Sequence, residues 1–332
     1  MHTRRDILQL LGASAGASLL AGALPAFAAT PVAGASTAGG AFVSKRPPKA
    51  QRRFISKAVE QQIAQIKAHI AAPELAWLFE NCYPNTLDTT VETGTRNGKP
   101  DTFVITGDIH AMWLRDSSAQ VHAYLPLARR DPALRRMFHG LIQRQAACIR
   151  LDPYANAFLP DGQTQHLKWS LNDITEMKPG VGERKWEVDS LCYPIRIAHA
   201  YWRATGDSAP FDDDWRAAMH VVVKTFREQQ RKDHRGPYVF QRPSPLATET
   251  LVLEGYGQPT RPNGMIHSMF RPSDDACVYP LFVPANLFAV TSLRQLATMS
   301  TQLHRDTDFA AGCTALADEV EAATRKFGQR TC

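Results

Sequence analysis

The 332-residue chain lacks most of the features that settle a protein's class at a glance. Its six cysteines, at positions 82, 148, 192, 277, 313 and 332, include no pair at the short spacing of a zinc or thiol-redox motif. No His-x-x-x-His or calcium-loop pattern accompanies its acidic residues, so neither kind of metal site has sequence support. No internal repeat is visible. Long apolar stretches are confined to one place near the N-terminus, which excludes a multi-span membrane protein. The body of the chain also lacks net charge. Residues 1–53 hold Arg4, Arg5, Lys45, Arg46, Lys49, Arg52 and Arg53 against Asp6 alone, which accounts for the whole formal charge of +6. The other 279 residues carry 31 basic and 31 acidic groups, so bulk charge gives no support to a nucleic-acid partner. With 44% apolar and 21% charged residues, the composition is globular and neither disordered nor collagen-like. The length allows one large domain or two ordinary ones.

The N-terminus reads as an export address. Arg4-Arg5 is a twin-arginine pair followed by apolar residues. Leu10 to Leu24 is an uncharged apolar and small-residue stretch, and Ala26-Phe27-Ala28 has the form of a cleavage site. The stretch is short for a spanning helix, although an uncleaved anchor is the alternative. Residues 1–29 are therefore expected to be a twin-arginine signal peptide, with the mature protein outside the cytoplasm and not stably inserted in a membrane. Residues 30–50, rich in Gly, Ala, Ser and Pro, are expected to be a flexible linker, and residues 51–332 the domain. Cys148, Cys192, Cys277 and Cys313 lie in apolar helical stretches and read as buried thiols. In an oxidising compartment a disulfide is the alternative.

Apolar residues recur at steps of three and four through most of the chain, which predicts amphipathic helices. The stripes run through Ile55–Ile70, Leu134–Ile149, Leu191–Trp202, Trp215–Phe226, Val283–Ala297 and Phe309–Phe327, with a further helix over Ser117–Arg130. Strand signals are few. Asn97-Gly98 between β-tolerant runs predicts a hairpin over Val91–Ile105, and Val239-Phe240 and Leu251–Leu253 are candidate short strands. Asp212 to Asp214, just before Trp215, reads as a helix N-terminus. Two long connections, 152–186 and 232–282, separate helices. Long loops in a compact domain are usually functional, and helix pairs with such loops on one side suggest a barrel or solenoid of helix hairpins.

The unusual chemistry sits in and beside those loops. In Gly107–Ser117 (GDIHAMWLRDS), Trp113 offers a flat face to a sugar ring, and Arg115 with Asp116 offers donors and acceptors to adjacent hydroxyls. The plainer alternative is a cap, from Asp116 or Ser117, beside a surface arginine. In Trp186–Pro194 (WEVDSLCYP), Glu187 and Asp189 are two residues apart. That is about 200° around a helix, so only one of them should enter a pocket. Asp189, one turn before Tyr193, would have a raised pKa if buried, and a carboxylate favoured by the helix dipole is the alternative. Pro194 should begin or kink the regular helix. In Phe270–Ala276 (FRPSDDA), Arg271, Ser273, Asp274 and Asp275 could read several hydroxyls, and a metal site is the alternative for the paired aspartates.

Together with Asp152–Phe158 (DPYANAF), and in this order and spacing, these segments resemble glycoside hydrolase family 125, the exo-acting α-1,6-mannosidases. The resemblance runs from about residue 50 to the end. It implies an all-α fold, the (α/α)6 barrel or toroid of six helix hairpins, with the active site in the loops at one end. It implies inverting removal of non-reducing terminal α-mannose from an oligosaccharide or N-glycan, with no metal and no other cofactor. Asp189 matches the general acid. Trp113, Arg115, Asp116, Arg271, Ser273, Asp274 and Asp275 match or flank the ligands of the terminal sugar. The family's general base, a Glu in a later His-Glu-Ser-Phe-like motif, has no counterpart in the chain. Seven or eight helices stand where the ring needs twelve. The expectation is therefore an incomplete barrel whose C-terminal helices are missing, with hydrolysis impaired by loss of the base. A non-catalytic mannoside-binding protein and a non-functional product of a disrupted gene are the alternatives.

Overall fold

The computed structural model describes residues 42–328. The expected signal peptide, the first part of the expected linker and Cys332 lie outside the described residues.

The apolar stripes become helices close to where their period places them. They are α1 (Lys57–His69), α2 (Pro73–Cys82), α3 (Asn85–Thr89), α4 (Leu114–Val121), α5 (Leu125–Ala128), α6 (Pro132–Leu151), α7 (Val188–Thr205), α8 (Asp213–Glu228), α9 (Val283–Met299) and α10 (Thr307–Phe327). Starts are set by side-chain caps: Ser56 accepts from the Val59 N–H, Asp131 from Ala133 and Leu134, and Asp212 from Trp215. Asp131 also accepts from Ser56 Oγ at 2.6 Å and so joins the beginnings of α1 and α6. Gly206, with φ of +70°, ends α7 in the left-handed region where glycine is unstrained. The expected helix over Ser117–Arg130 starts three residues earlier, at Leu114. It is broken by a tight turn at His122–Tyr124 before α5 resumes. Neither Asp116 nor Ser117 is its cap; Ser117 Oγ bonds back to the Leu114 carbonyl. Pro194 lies inside α7 and does not begin it.

The helices pack in two layers. α4, α7 and α9 lie side by side, and α6 packs on α8 behind them, while α9 and α10 form a hairpin. α7 is the centre of the inner layer, touching α4, α5, α6 and α9, and its first five residues are all buried. This alternation of inner and outer helices follows the hairpin pattern expected from the sequence. Burial of the inner stripes gives one continuous apolar core from Ala58 to Val320.

Two small sheets complete the fold. The expected hairpin is present as β1 (Val91–Arg96) and β2 (Lys99–Val104), joined through Asn97 and Gly98, both at positive φ. It lies on α6 so closely that a Cβ on Gly140 would stand 2.5 Å from Thr102 Oγ1 and 2.6 Å from the Asp101 carbonyl carbon. The second sheet, β3 (Met112–Trp113), β4 (Ala157–Phe158) and β5 (Val181–Glu183), was not foreseen. Its strands are two or three residues long, too short to show a period in sequence. The strands anticipated at Val239-Phe240 and Leu251–Leu253 do not form. Gln241 makes only an isolated bridge to Ile174.

Residues 42–50 are not a free linker. Arg46 is buried against the domain, 2.8 Å from Asp88 and 2.5 Å from Glu60, and the Trp77 indole donates to the Val43 carbonyl. The Pro-rich composition suggested a tether, but a buried guanidinium between two carboxylates fixes this strip to α1 and α3. Cys82, Cys148, Cys192, Cys277 and Cys313 are free thiols, and all but Cys82 are buried.

Gly140→Ala should destabilise the domain by about 1–3 kcal/mol, since the added methyl meets backbone that cannot turn away. Chemical denaturation checks this, and an unchanged midpoint would contradict the close approach of hairpin and helix.

Candidate active site

The sheet that the sequence hid is what brings the marked segments together. β3 carries Met112 and Trp113, pairs with Phe158 and Ala157, and leads directly into α4 with Arg115 and Asp116. β4 pairs with β5, which leads to Lys185, Glu187 and the start of α7. Asn156, fully buried, locks the join: its amide donates to Glu183 at 3.0 Å, its oxygen accepts the Lys185 N–H, and its carbonyl accepts the Leu114 N–H. Asp152 binds the Arg184 guanidinium at 2.7 Å. The DPYANAF segment is thus largely scaffold. The third segment is held by Trp186, whose carbonyl accepts from both Met269 and Phe270, and by Ser268, whose hydroxyl accepts the Val188 N–H at the start of α7.

Arg115 is where the segments meet. Its Nη1 is 2.7 Å from Glu187 Oε2 and 3.6 Å from Asp189 Oδ2, its Nη2 is 3.5 Å from Asp274 Oδ1, and its Nε is 3.5 Å from Asp116 Oδ2. Glu187 and Asp189 therefore both face one pocket, against the expectation that only one could. Glu187 is the N-cap of α7, with extended backbone at φ −128° and ψ 126°, so the helical angle between the two does not apply. Asp274 reaches in from the tip of its loop with φ of +64°. Its neighbours do not follow. Arg271 pairs with Asp275 at 3.1 Å and Ser273 donates to Asp275 at 2.9 Å, all on the exposed side of that tip. Trp113 is largely buried beside Ala111, Ala157 and Leu159, and shows an edge to the cavity described below.

One positive charge cannot neutralise four carboxylates, of which Glu187 and Asp189 are shut away from water. Burial, and then the charge of Asp189, push the Glu187 carboxyl well above its ordinary range. Burial also raises Asp189, against the pull of Arg115. Asp274 is raised by burial and then by the charge of Glu183. Burial would lower the Arg115 pKa, but the surrounding carboxylates outweigh it and hold the guanidinium charged. Glu187 Oε1, both Asp189 oxygens and Asp274 Oδ1 are buried and accept no hydrogen bond from a protein donor. Buried polar atoms are nearly always bonded, so four acceptor oxygens left together suit a ligand rich in O–H donors.

Next to this cluster lies a cavity of about 620 Å³, walled in part by Trp113, Trp169, Arg242, Lys185 and Asp274. Arg242 takes Asp173, Glu183 and Glu249 at 2.6 to 3.1 Å, and the Trp169 indole donates to Glu183 at 3.1 Å. Lys185, buried, donates to the Asp274 carbonyl at 2.8 Å and to Glu249 at 3.2 Å. Sequence reading passed over Lys185, Glu183, Arg242 and Trp169. The available signal was the density of charge beside Trp186 and of aromatics in the loop 152–186. Among the described residues no group of three or more His, Cys, Asp or Glu side chains is placed to hold a metal ion.

Comparison with known proteins decides the family. The sequence profile of the metal-independent alpha-mannosidases, GH125, matches residues 72–331. The chain belongs to the GH125 family. It is 38% identical over 299 residues to the meiotically up-regulated gene 157 protein of Schizosaccharomyces pombe, covering 86% of this chain and 58% of that protein. It also superposes on a Streptococcus pneumoniae metal-independent alpha mannosidase in a non-productive complex with alpha-1,6-mannobiose. There the TM-score is 0.78 and the identity 36%, over 84% of this chain and 65% of the other. The chain thus spans less than two thirds of the length of either relative. Its helices superpose on those of a GH125 enzyme, a family with the (α/α)6 fold. Within this GH125 chain the Arg115 cluster lies at the start of an inner helix, where loops from both long connections converge.

A carboxyl whose pKa is raised by folding stabilises the fold while protonated, and that contribution is lost as pH rises from its ordinary value through its raised one. For Glu187 the loss begins near the ordinary carboxyl value of 4.5 and runs upward. Glu187→Gln removes it, so the variant should gain melting temperature over the parent at pH 8 and lose that advantage toward pH 4. Parallel stability curves for the two proteins across this range would contradict the raised pKa.

Proposed function

We propose that this chain carries the sugar-binding and acid half of an exo-acting, inverting α-1,6-mannosidase acting on non-reducing terminal α-mannose of an oligosaccharide or N-glycan. The observation that carries the reading is the set of buried carboxylate oxygens gathered around Arg115 without a hydrogen bond of their own. The alpha-1,6-mannobiose held by the Streptococcus pneumoniae relative supports the choice of substrate. Asp189 is the general acid. Burial keeps its proton at a pH where an exposed aspartate has lost it, and an acid in that state can protonate the glycosidic oxygen as the bond breaks. Arg115, Asp116, Glu187 and Asp274 take the hydroxyls of the terminal mannose. Trp113 is the apolar wall. Arg271, Ser273 and Asp275 act at the rim, where a longer glycan would pass.

Inversion requires a second carboxylate roughly 6.5–9.5 Å from the acid, with water between. Glu187 does not fill that role. It and Asp189 lie 2.7 and 3.6 Å from the same Arg115 nitrogen, which leaves no room for the water. Glu183, Glu249 and Asp173 are held by Arg242. This favours a second reading, in which the 332-residue chain binds mannosides and hydrolyses them poorly or not at all.

The expected result with α-1,6-mannobiose is saturable binding by calorimetry, abolished in Arg115→Ala, with little release of mannose. Robust turnover that Asp189→Asn abolishes would show that a carboxylate of this chain serves as base. Retained configuration in the first-formed mannose, read from its anomeric proton, would overturn inversion.

The twin arginines and the Ala26-Phe27-Ala28 site support export across the cytoplasmic membrane, to the periplasm or beyond. No helix among the described residues is long and apolar enough to cross a membrane. Replacing Arg4 and Arg5 by lysine should leave the protein in the cytoplasmic fraction. Unchanged export of the double variant would remove the twin-arginine reading.

A further inference from the structure

The long connection 232–282 contains a second cavity, of about 350 Å³, that shares no residue with the carboxylate-lined one. Its walls include Arg231, His234, Arg235, Tyr256, Thr260 and Pro262. Arg231 is 8% exposed and sits at positive φ just past the end of α8. Its Nε donates to Gln229 Oε1 at 3.1 Å, its Nη1 to the Tyr256 carbonyl at 3.0 Å, and its Nη2 to Met269 Sδ at 3.3 Å. None of these partners carries a charge.

That sets Arg231 apart. The buried guanidiniums of Arg46, Arg115, Arg144, Arg184 and Arg242 each reach at least one carboxylate at 2.8 Å or less. Among the described residues, Arg231 reaches none within 4 Å. Nor do its ionisable neighbours supply a negative charge. Tyr154, Tyr238 and Tyr256 are phenols, and burial together with the charge of Arg231 lowers His267 to about 4, leaving it neutral. Burial without a counter-charge pulls Arg231 itself down to about 10. An unpaired buried charge is costly, and a fold relieves that cost when a ligand brings the opposite charge. The rim adds to the attraction. Arg235 lies 5.2 Å from the Tyr256 ring centroid and, among the described residues, within 4 Å of no carboxylate, whereas Lys232 is already taken by Glu319 at 2.5 Å. Asp233 is the one acidic side chain in the wall, and it is exposed.

We propose that Arg231 and Arg235 form an oxyanion site, separate from the mannoside pocket, that takes a phosphate group. Two of the Arg231 guanidinium N–H groups remain after its three protein bonds. A planar fork of donors matches a tetrahedral oxyanion better than an ammonium does, and Arg235 closes on it from the rim. The cavity has room for a phosphate monoester of a sugar as well as for the free anion.

The test is thermal unfolding of the full chain in rising inorganic phosphate, against sodium chloride at matched ionic strength. A saturable rise in melting temperature beyond that of chloride is expected. Arg235→Gln, an exposed change that leaves the fold intact, should weaken it about tenfold. Arg231→Met should abolish it. If Arg231→Met does not fold, ³¹P line broadening of phosphate by the parent, relieved in Arg235→Gln, carries the test. No saturable effect in the parent, or an equal effect in folded Arg231→Met, would overturn the site. A second titration with mannose 6-phosphate separates the sources. Tighter binding than inorganic phosphate identifies a phosphorylated glycan, and equal or weaker binding identifies the free anion.

Discussion

Arg115 places a single positive charge among Asp116, Glu187, Asp189 and Asp274, where Glu187 and Asp189 are buried and the other two reach the surface. Without that charge the carboxylates could not be gathered at all, because like charges at this range in a low dielectric repel by several kcal/mol. With it the balance is still negative, so protons are retained on groups that would otherwise lose them. The same interaction therefore holds the site together, orients its acceptor oxygens and leaves the buried carboxyls with raised pKa values. The stability forgone in burying so many acceptors without donors is the kind of local inconsistency that functional sites carry.

The rest of the fold serves to bring four chain segments to that guanidinium. α7 supplies a rigid, fully buried start for Asp189, and Glu187 gains its inward direction by standing just outside the helix. The short sheet β3-β4-β5 and the side chain of Asn156 fix Arg115 relative to α7. Trp186 and Ser268 do the same for the loop that carries Asp274. Some of these bonds end on residues of the cavity wall, as where Asn156 holds Glu183 and the Lys185 N–H. Most satisfy a backbone group that the irregular connections would otherwise leave buried and unpaired: the N–H groups of Leu114, Lys185, Val188, Met269 and Phe270. That is how two long loops can be both irregular and well fixed.

Much of this was legible in the sequence, and the misses have physical reasons. The helices were visible because a buried face recurs every three to four residues over three turns or more. The hairpin was visible because Asn97-Gly98 is almost obligatory for its turn. Strands of two residues leave no period, so the sheet that assembles the site was invisible. The angle between Glu187 and Asp189 was wrong because it assumed a helix one residue too early. Arg271, Ser273 and Asp275 were grouped with Asp274 by their polar chemistry and by the family resemblance, and only the structure shows that a turn at positive φ sends the Asp274 carboxylate inward while its neighbours pair with one another outside. The strip 42–50 looked like a tether because its Pro-rich composition carries no core, and a single buried arginine outweighed composition.

The sequence by itself determined the helical class, the hairpin, the even charge balance of residues 54–332, the family and the motifs that carry Arg115, Asp189 and Asp274. Each of these follows from local pattern: a period, a turn dipeptide, a count or a short motif. Only the tertiary structure decided which carboxylates share one guanidinium, which of them are dry enough to hold a proton, and which arginine is buried with no carboxylate beside it. Burial and charge pairing depend on residues far apart in the chain, 72 positions in the case of Arg115 and Glu187, and no local pattern encodes that distance.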